Sequence, residues 1–308
     1  MAQRDLSVSQ VSAAPYLPFD GGRFRLMMGL MPLAEAGWIE RDERLAADLA
    51  EKRRLLETRH SEVFAALDEA AAPAAALLEQ LVQHLLQYHG AVYAREGDVI
   101  LNAATSERWD LARPALHPLD LAGRLVQEDL CLLQRAAAGE TYRLIGASLC
   151  SPARWRLADK IGRALAAIHA PVPGYAEKLE RPVDRFFAAL APERPVWRLN
   201  WSIVDDPAPF QPVARPAADA VTAATAGERL WLRVERQTLR RLPESGAVVF
   251  TIRTYITRLD AAIAARETAA ELAGSIRAMP EESRRYKHIA PVAAPLLAWL
   301  DARAAAPR

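Results

Sequence analysis

The stretch LRVERQTLRRLPESGAVVFTIRTY, residues 232–255, constrains the fold more than any other. Two runs rich in Val, Ile, Leu, Phe, Tyr and Thr flank PESG, a tight-turn sequence, so they are expected to pair as antiparallel strands. Side chains alternate along a strand, which sorts the first run into two sets. Leu232, Val234, Arg236 and Thr238 share one face, and Arg233, Glu235 and Gln237 share the other. Across the turn, Arg253 and Tyr255 lie on one face and Phe250 and Ile252 on the opposite one. Both faces therefore carry charge. If helices cover this sheet, some of these charges are buried or line a pocket, where they persist only when paired or bound to an anion. An exposed sheet with cross-strand ion pairs is the alternative.

The rest of the chain supplies more strands and many helices. TYRLIGASLC and RPVWRLNWSIV read as strands, and AVYAREGDVILN as a short hairpin turning at Gly97 and Asp98. A Pro- and Ala-rich segment between Asp206 and Glu228 has the length and weak patterning of a lid or mobile loop. Helical spacing marks three N-terminal segments. In the first, Leu45, Leu49 and Leu56 face inward while Asp48 and Lys52 form a solvent-side pair; in the second, Leu77, Leu81, Leu85 and Tyr88 form a stripe. The third, LDLAGRLVQEDLCLLQRAA, has Leu121, Leu125 and Leu132 inward. Two further helices close the chain. The pattern predicts an α+β fold: residues 1–135 form a mainly helical elaboration, and residues 136–308 a sheet-bearing core with C-terminal helices, the two making one unit.

Composition removes several function classes. With 39 basic and 38 acidic residues the chain has a formal charge of +1, which leaves no electrostatic footprint for nucleic acid. Two cysteines, Cys131 and Cys150, supply neither a disulfide framework nor the four thiolates of an iron–sulfur cluster. No apolar run reaches membrane-spanning length, and MAQRDLSVSQ lacks the features of a secretion signal, so a cytoplasmic protein is expected. No dinucleotide fingerprint, phosphate-binding loop, zinc-protease motif or nucleophile elbow is present. If the chain does redox chemistry, another protein must supply the electrons.

Among six histidines, one stands out. In RLADKIGRALAAIHAPVPGY, Ile161, Leu165 and His169 are spaced by fours on one face of an expected amphipathic helix, which Pro171 and Pro173 end at once. His169 therefore points inward, either as a ligand or as a hydrogen-bonded core imidazole. His84, beside the stripe of its helix, carries the same two readings, whereas His60 reads as a surface residue. Cys150 is a possible thiolate ligand or nucleophile, with a small buried side chain as the competing role.

Taken in order, PYLPFDGGRFRLMMGLMPL, WIERD, VQEDLCLL, KIGRALAAIHAPVPGY, VDRFFAAL, RPVWRLNWSI, LRVERQTLRRLPESGAVVFTIRTY and MPEESRRYKH resemble the alpha subunit of heme-dependent oxidative N-demethylase and its relatives. Ser151 departs from the bulky aromatic expected in many relatives. The resemblance implies a heme-binding Per-ARNT-Sim (PAS)-like fold, in which an antiparallel sheet and a cofactor-binding helix are elaborated by N- and C-terminal helices. It implies heme b ligated through iron by His169, and oxidation of an N-methyl group of a small amine such as dimethylamine by O2, releasing formaldehyde. It also implies partner subunits carrying FMN, a 2Fe-2S centre and folate. Strand parity adds candidates for the pocket wall: Asn200, Trp201 and Thr238 near the cofactor, and Glu235, Arg236 and Arg253 for catalysis. A heme PAS gas sensor and a PAS-like scaffold without heme are the competing readings.

Overall fold

The computed structural model describes residues 14–19, 21–112, 115–135, 141–213 and 221–306. The segment 214–220, within the expected lid, lies outside the described residues. Among the described residues ten strands form in chain order: β1 (Met31–Pro32), β2 (Phe64–Ala66), β3 (Tyr93–Glu96), β4 (Val99–Asn102), β5 (Glu107–Asp110), β6 (Asp129–Gln134), β7 (Arg143–Ser148), β8 (Val196–Val204), β9 (Trp231–Arg241) and β10 (Val248–Arg258). Seven make one antiparallel sheet in the order β1-β8-β9-β10-β6-β7-β2, and β3-β4-β5 make a small second sheet. The fold is α+β.

The predicted hairpin is the centre of this sheet. β9 and β10 pair without interruption from Arg241↔Val248 to Trp231↔Arg258. Their turn is closed by the Leu242 N–H donating to the Ala247 carbonyl at 2.8 Å, with Gly246 at φ 66°, a conformation that favours glycine. The helices Ala71–Tyr88 and Pro118–Leu125 cover one face, where Leu77, Leu81, Leu121 and Leu125 pack on Leu130, Leu132 and Val249. On the other face Cys131, Leu133, Leu239 and Ile252 meet the long β7–β8 connection. Helices Arg266–Ala278 and Ala293–Ala305 pack together beyond the β8–β9 end. Among the described residues no helix is long and apolar enough to cross a membrane.

Four expectations need correction. LDLAGRLVQEDLCLLQRAA is not one helix: the helix ends at Leu125, and Asp129–Gln134 is β6, between β10 and β7. A strand covered on both faces is apolar throughout and imitates helical spacing. The Asp129 carboxylate anchors it by accepting the Cys150 and Ser151 N–H groups at 2.7 and 2.8 Å. Asp48 and Lys52 are not a solvent pair either. Lys52 is 4% exposed, and its ammonium donates to the Val126 and Glu128 carbonyls at 2.7 and 2.5 Å, capping the link between the Pro118–Leu125 helix and β6. Tyr88 is exposed, and His84 takes the inward position beside it, edge-on to Trp38 at 5.2 Å.

The fourth correction concerns the helix expected over 156–169. It is broken at Gly162, whose φ is 75°. Before it stands one 3-10 turn, Leu157–Asp159, and after it the chain runs extended beside the start of β7, with Ala164 bridged to Arg143. The Gly162 N–H donates to the Leu144 carbonyl and the Leu165 N–H to the Tyr142 carbonyl, so these groups serve the sheet rather than a helix. Only Leu165–His169 is helical.

The break fixes the sign of a substitution. In a helix interior Gly→Ala stabilises, but at positive φ it strains the backbone. Gly162→Ala is expected to lower stability by about 1–2 kcal/mol, measured by urea unfolding. A gain in stability would restore the continuous helix.

Candidate functional site

The face of the sheet turned away from the helices Ala71–Tyr88 and Pro118–Leu125 encloses a cavity of about 500 Å³. Leu133, Leu239, Phe250 and Ile252 form an apolar floor, and the β7–β8 connection supplies the opposite wall through Leu165, Ile168, Val172 and Phe186. Polar groups gather where β8 and β9 run side by side. Register pairs Asn200 with Glu235 and Arg198 with Gln237, so these four share the cavity face.

His169 enters from the opposite wall. Its helix ends because Pro171 and Pro173 cannot continue it, and the Val172 N–H folds back onto the His169 carbonyl at 2.8 Å. Gly174, at φ 74°, then turns the chain so that Tyr175 stacks on the imidazole at 4.8 Å with 12° between the rings. Nδ1 lies 2.8 Å from the Leu165 carbonyl, which can only accept, so Nδ1 carries the proton. Burial lowers the pKa of the ring and favours its neutral form. Nε2 is then the nitrogen with a free lone pair, on a ring held by a hydrogen bond and a stacked phenol. This is the tautomer a histidine ligand needs.

At the polar end the Asn200 amide spans two opposite charges. Its Nδ2 donates to Glu235 at 3.2 Å, and its Oδ1 accepts from the Lys287 ammonium at 3.1 Å. Glu235 also accepts from Gln237 at 3.0 Å and faces Arg233 at 3.4 Å. Lys287 donates again to the Trp201 carbonyl at 2.6 Å, and desolvation pulls its pKa down to about 8 against the attraction of Glu235. Desolvation likewise lowers Arg198, whose Nε is buried without a hydrogen-bond partner among the described residues.

The structure brings together His169, Asn200, Trp201 and Glu235 at the cavity. Trp201 contributes its carbonyl, which accepts from Lys287, and its ring, which has the Lys287 ammonium 5.5 Å from its centroid and stands edge-on to Phe19 at 5.3 Å. Arg236, Thr238 and Arg253 are not brought to it. Strand alternation turns them to the helix-covered face, opposite Glu235 and Gln237. There Thr238 and Thr251 hydrogen-bond at 2.7 Å, and Arg236 pairs with Glu40 at 3.0 Å above the Trp197 ring. Arg253 binds Asp42 at 2.6 Å and Asp48 at 3.4 Å. Both arginines are nearly fully buried.

Sequence reasoning missed Arg198, Lys287 and Lys160 as cavity residues, and did not nominate Gln237. Arg198 was accessible to the parity argument, since it alternates with Asn200. Lys287 sits on no patterned face, and Lys160, 4.1 Å over the Trp155 ring, depends on the broken helix. Ser151 does line the cavity. Cys150 is a core thiol packed with Leu55, Leu56 and Val63, pushed up to about 12 by burial, which keeps it protonated. His84 is also a core residue, with burial depressing its pKa to about 4. Among the described residues no group of three or more His, Cys, Asp or Glu side chains could hold a bare metal ion.

A family model described as "Haem-dependent oxidative N-demethylase, alpha subunit-like" matches residues 29–297. The match spans both sheet faces and the cavity lining from Gly29 onward, and the chain belongs to this family. The family name carries heme dependence with it.

The division between the faces can be tested. Arg253→Met leaves Asp42 and Asp48 without their buried counter-charge, and breaking such a pair costs about 3–5 kcal/mol. The variant should show a clear drop in thermal and urea stability with unchanged affinity for any ligand of the cavity. Loss of ligand affinity at unchanged stability would place Arg253 in the site.

Proposed function

We propose that this chain is the heme-binding subunit of an oxidative N-demethylase acting on a small methylated amine, with heme b in the cavity and His169 as the iron ligand. The carrying observation is the His169 imidazole, with Nδ1–H fixed on the Leu165 carbonyl and Nε2 free. The cavity suits such a group: its long walls are apolar, as a porphyrin face requires, and Arg23 and Arg25 at exposed positions of its lining offer partners to carboxylates. The order β7-β6-β10-β9-β8, with the His169 helix inserted between β7 and β8, supports a PAS-like reading of the central sheet.

When bound, heme b supplies oxygen activation for oxidation of an N-methyl group; the carbinolamine product then breaks up into formaldehyde and the shorter amine. The chain's own contribution is placement. Leu165 and Tyr175 set the plane of the ligand ring, Phe250, Ile252 and Leu239 keep water from the floor, and Asn200 and Gln237 orient Glu235 toward a cationic nitrogen. Electrons are proposed to come from partner-bound FMN and 2Fe-2S, with a folate-binding subunit as formaldehyde acceptor, since the sequence offers no nicotinamide fingerprint and only two cysteines.

The test is the absorption spectrum, ferric and ferrous, with stoichiometric heme supplied and dimethylamine added afterwards. A histidine-type Soret band that shifts with amine is the expected result; a band blind to amines favours a gas sensor, and no specific heme binding leaves a scaffold. His169→Ala should reduce heme retention by at least about tenfold, and unchanged iron ligation removes the residue from the site. Glu235→Gln should weaken amine binding at unchanged heme content.

A further inference from the structure

The cavity is unbalanced in charge. Its lining contains Arg23, Arg25, Lys160, Arg198 and Lys287, but Glu235 is the only acidic residue among the described lining residues. Glu235 is moreover already engaged by Asn200, Gln237 and the buried Arg233. The two inner cations, Arg198 and Lys287, share the attraction of this one carboxylate with Arg233 and have none of their own. Lys287 rests on two neutral oxygens, of Asn200 and Trp201, and over the Trp201 ring at 5.5 Å, and the Arg198 Nε has no hydrogen-bond partner among the described residues. Desolvated cations left in this condition are costly, and the cost is relieved by an anion placed between them.

We infer that Lys287 and Arg198 form a carboxylate-binding subsite in the cavity, and that the N-methylated substrate is an amino acid rather than a simple alkylamine. This rests on the cavity being the substrate site. The geometry carries it through Asn200, whose one amide holds Lys287 at its oxygen and Glu235 at its nitrogen. A positive and a negative side chain are thus set at the two ends of a planar group a few ångströms long. A zwitterion laid against that pair places its carboxylate on Lys287 and Arg198 and its methylammonium on Glu235. Dimethylammonium meets only half of this arrangement and is repelled by the rest. The selection resembles that of any buried polar site: a ligand lacking the matching group leaves the protein's own groups unpaired.

A heme propionate has the same carboxylate chemistry, so the experiment separates the two sources. Calorimetric titrations of the full chain, heme-loaded and heme-free, would compare N-methylglycine and 3-(methylamino)propanoate with dimethylamine and N-methylethylamine. At least one acid should bind about tenfold or more tightly than its amine counterpart. Lys287→Met and Arg198→Met should each abolish that preference while amine affinity is retained or rises and the Soret band is retained, and Lys287→Arg should restore part of it. Retained amine affinity shows that the variants are folded. If no acid binds better than its amine, the inference is overturned. It is equally overturned if the methionine variants lose heme while the preference for acids is absent, because the cations then serve the propionates. Failure of the chain to bind heme sinks the demethylase reading alone, since the acid preference is read separately in the heme-free protein.

Discussion

The uninterrupted register between β9 and β10 is the constraint from which the rest of the structure follows. Because the strand period is two, each residue of VERQT is committed to one face as soon as the hairpin closes. Glu235 and Gln237 go to the cavity; Arg236 and Thr238 go beneath the helices. A shift of one residue would exchange these sets, burying Glu235 against the apolar helix layer and exposing the partners of Arg236. The charged residues on both faces therefore specify register as well as forming two polar sites.

The helix-side site is a network of buried charges. Arg253 and Arg236 draw in Asp42, Asp48 and Glu40, and Glu40 also accepts from Tyr16 and Tyr255 at 2.5 Å each. The Glu40 N–H in turn donates to Glu128 at 2.8 Å, a fully buried carboxyl whose pKa is raised by desolvation. These bonds fasten residues 16 and 40–48, which form little of the sheet themselves, onto its centre. Replacing such a network by apolar groups is often neutral, whereas removing one member is expensive. Its strength is in fixing where the N-terminal segment lies, and with it the stretch 23–30 that closes one side of the cavity.

Much of this was legible in the sequence. The hairpin, β7, β8, the helix over 71–88 and the inward aim of His169 follow from local pattern and turn chemistry. The misreadings have identifiable physical causes. β6 was hidden because a strand covered on both sides loses its alternation. The break at Gly162 was hidden because the flanking residues keep helical spacing, while the hydrogen bonds of Gly162 and Leu165 go to β7, which no local pattern reveals. Assigning Arg236, Thr238 and Arg253 to a pocket wall required knowing which face the helices cover. Their face-sharing was readable from parity, but the identity of the open face was not. Lys287 reaches the cavity from a turn nearly ninety residues beyond Asn200, so only the assembled fold could reveal it.

The ends of the large sheet bear on how other proteins can approach it. β1 is only two residues long, Met31–Pro32, and β2 only three. Pro32 has no N–H to offer, and so short a rim gives an incoming strand too little to zip onto. Strand addition onto β1 or β2 themselves, whether by a second copy, a misfolded neighbour or a partner's extended tail, is thus discouraged. A partner that meets the sheet at these two short strands has to use side-chain surfaces, where recognition depends on shape and charge rather than on backbone hydrogen bonds.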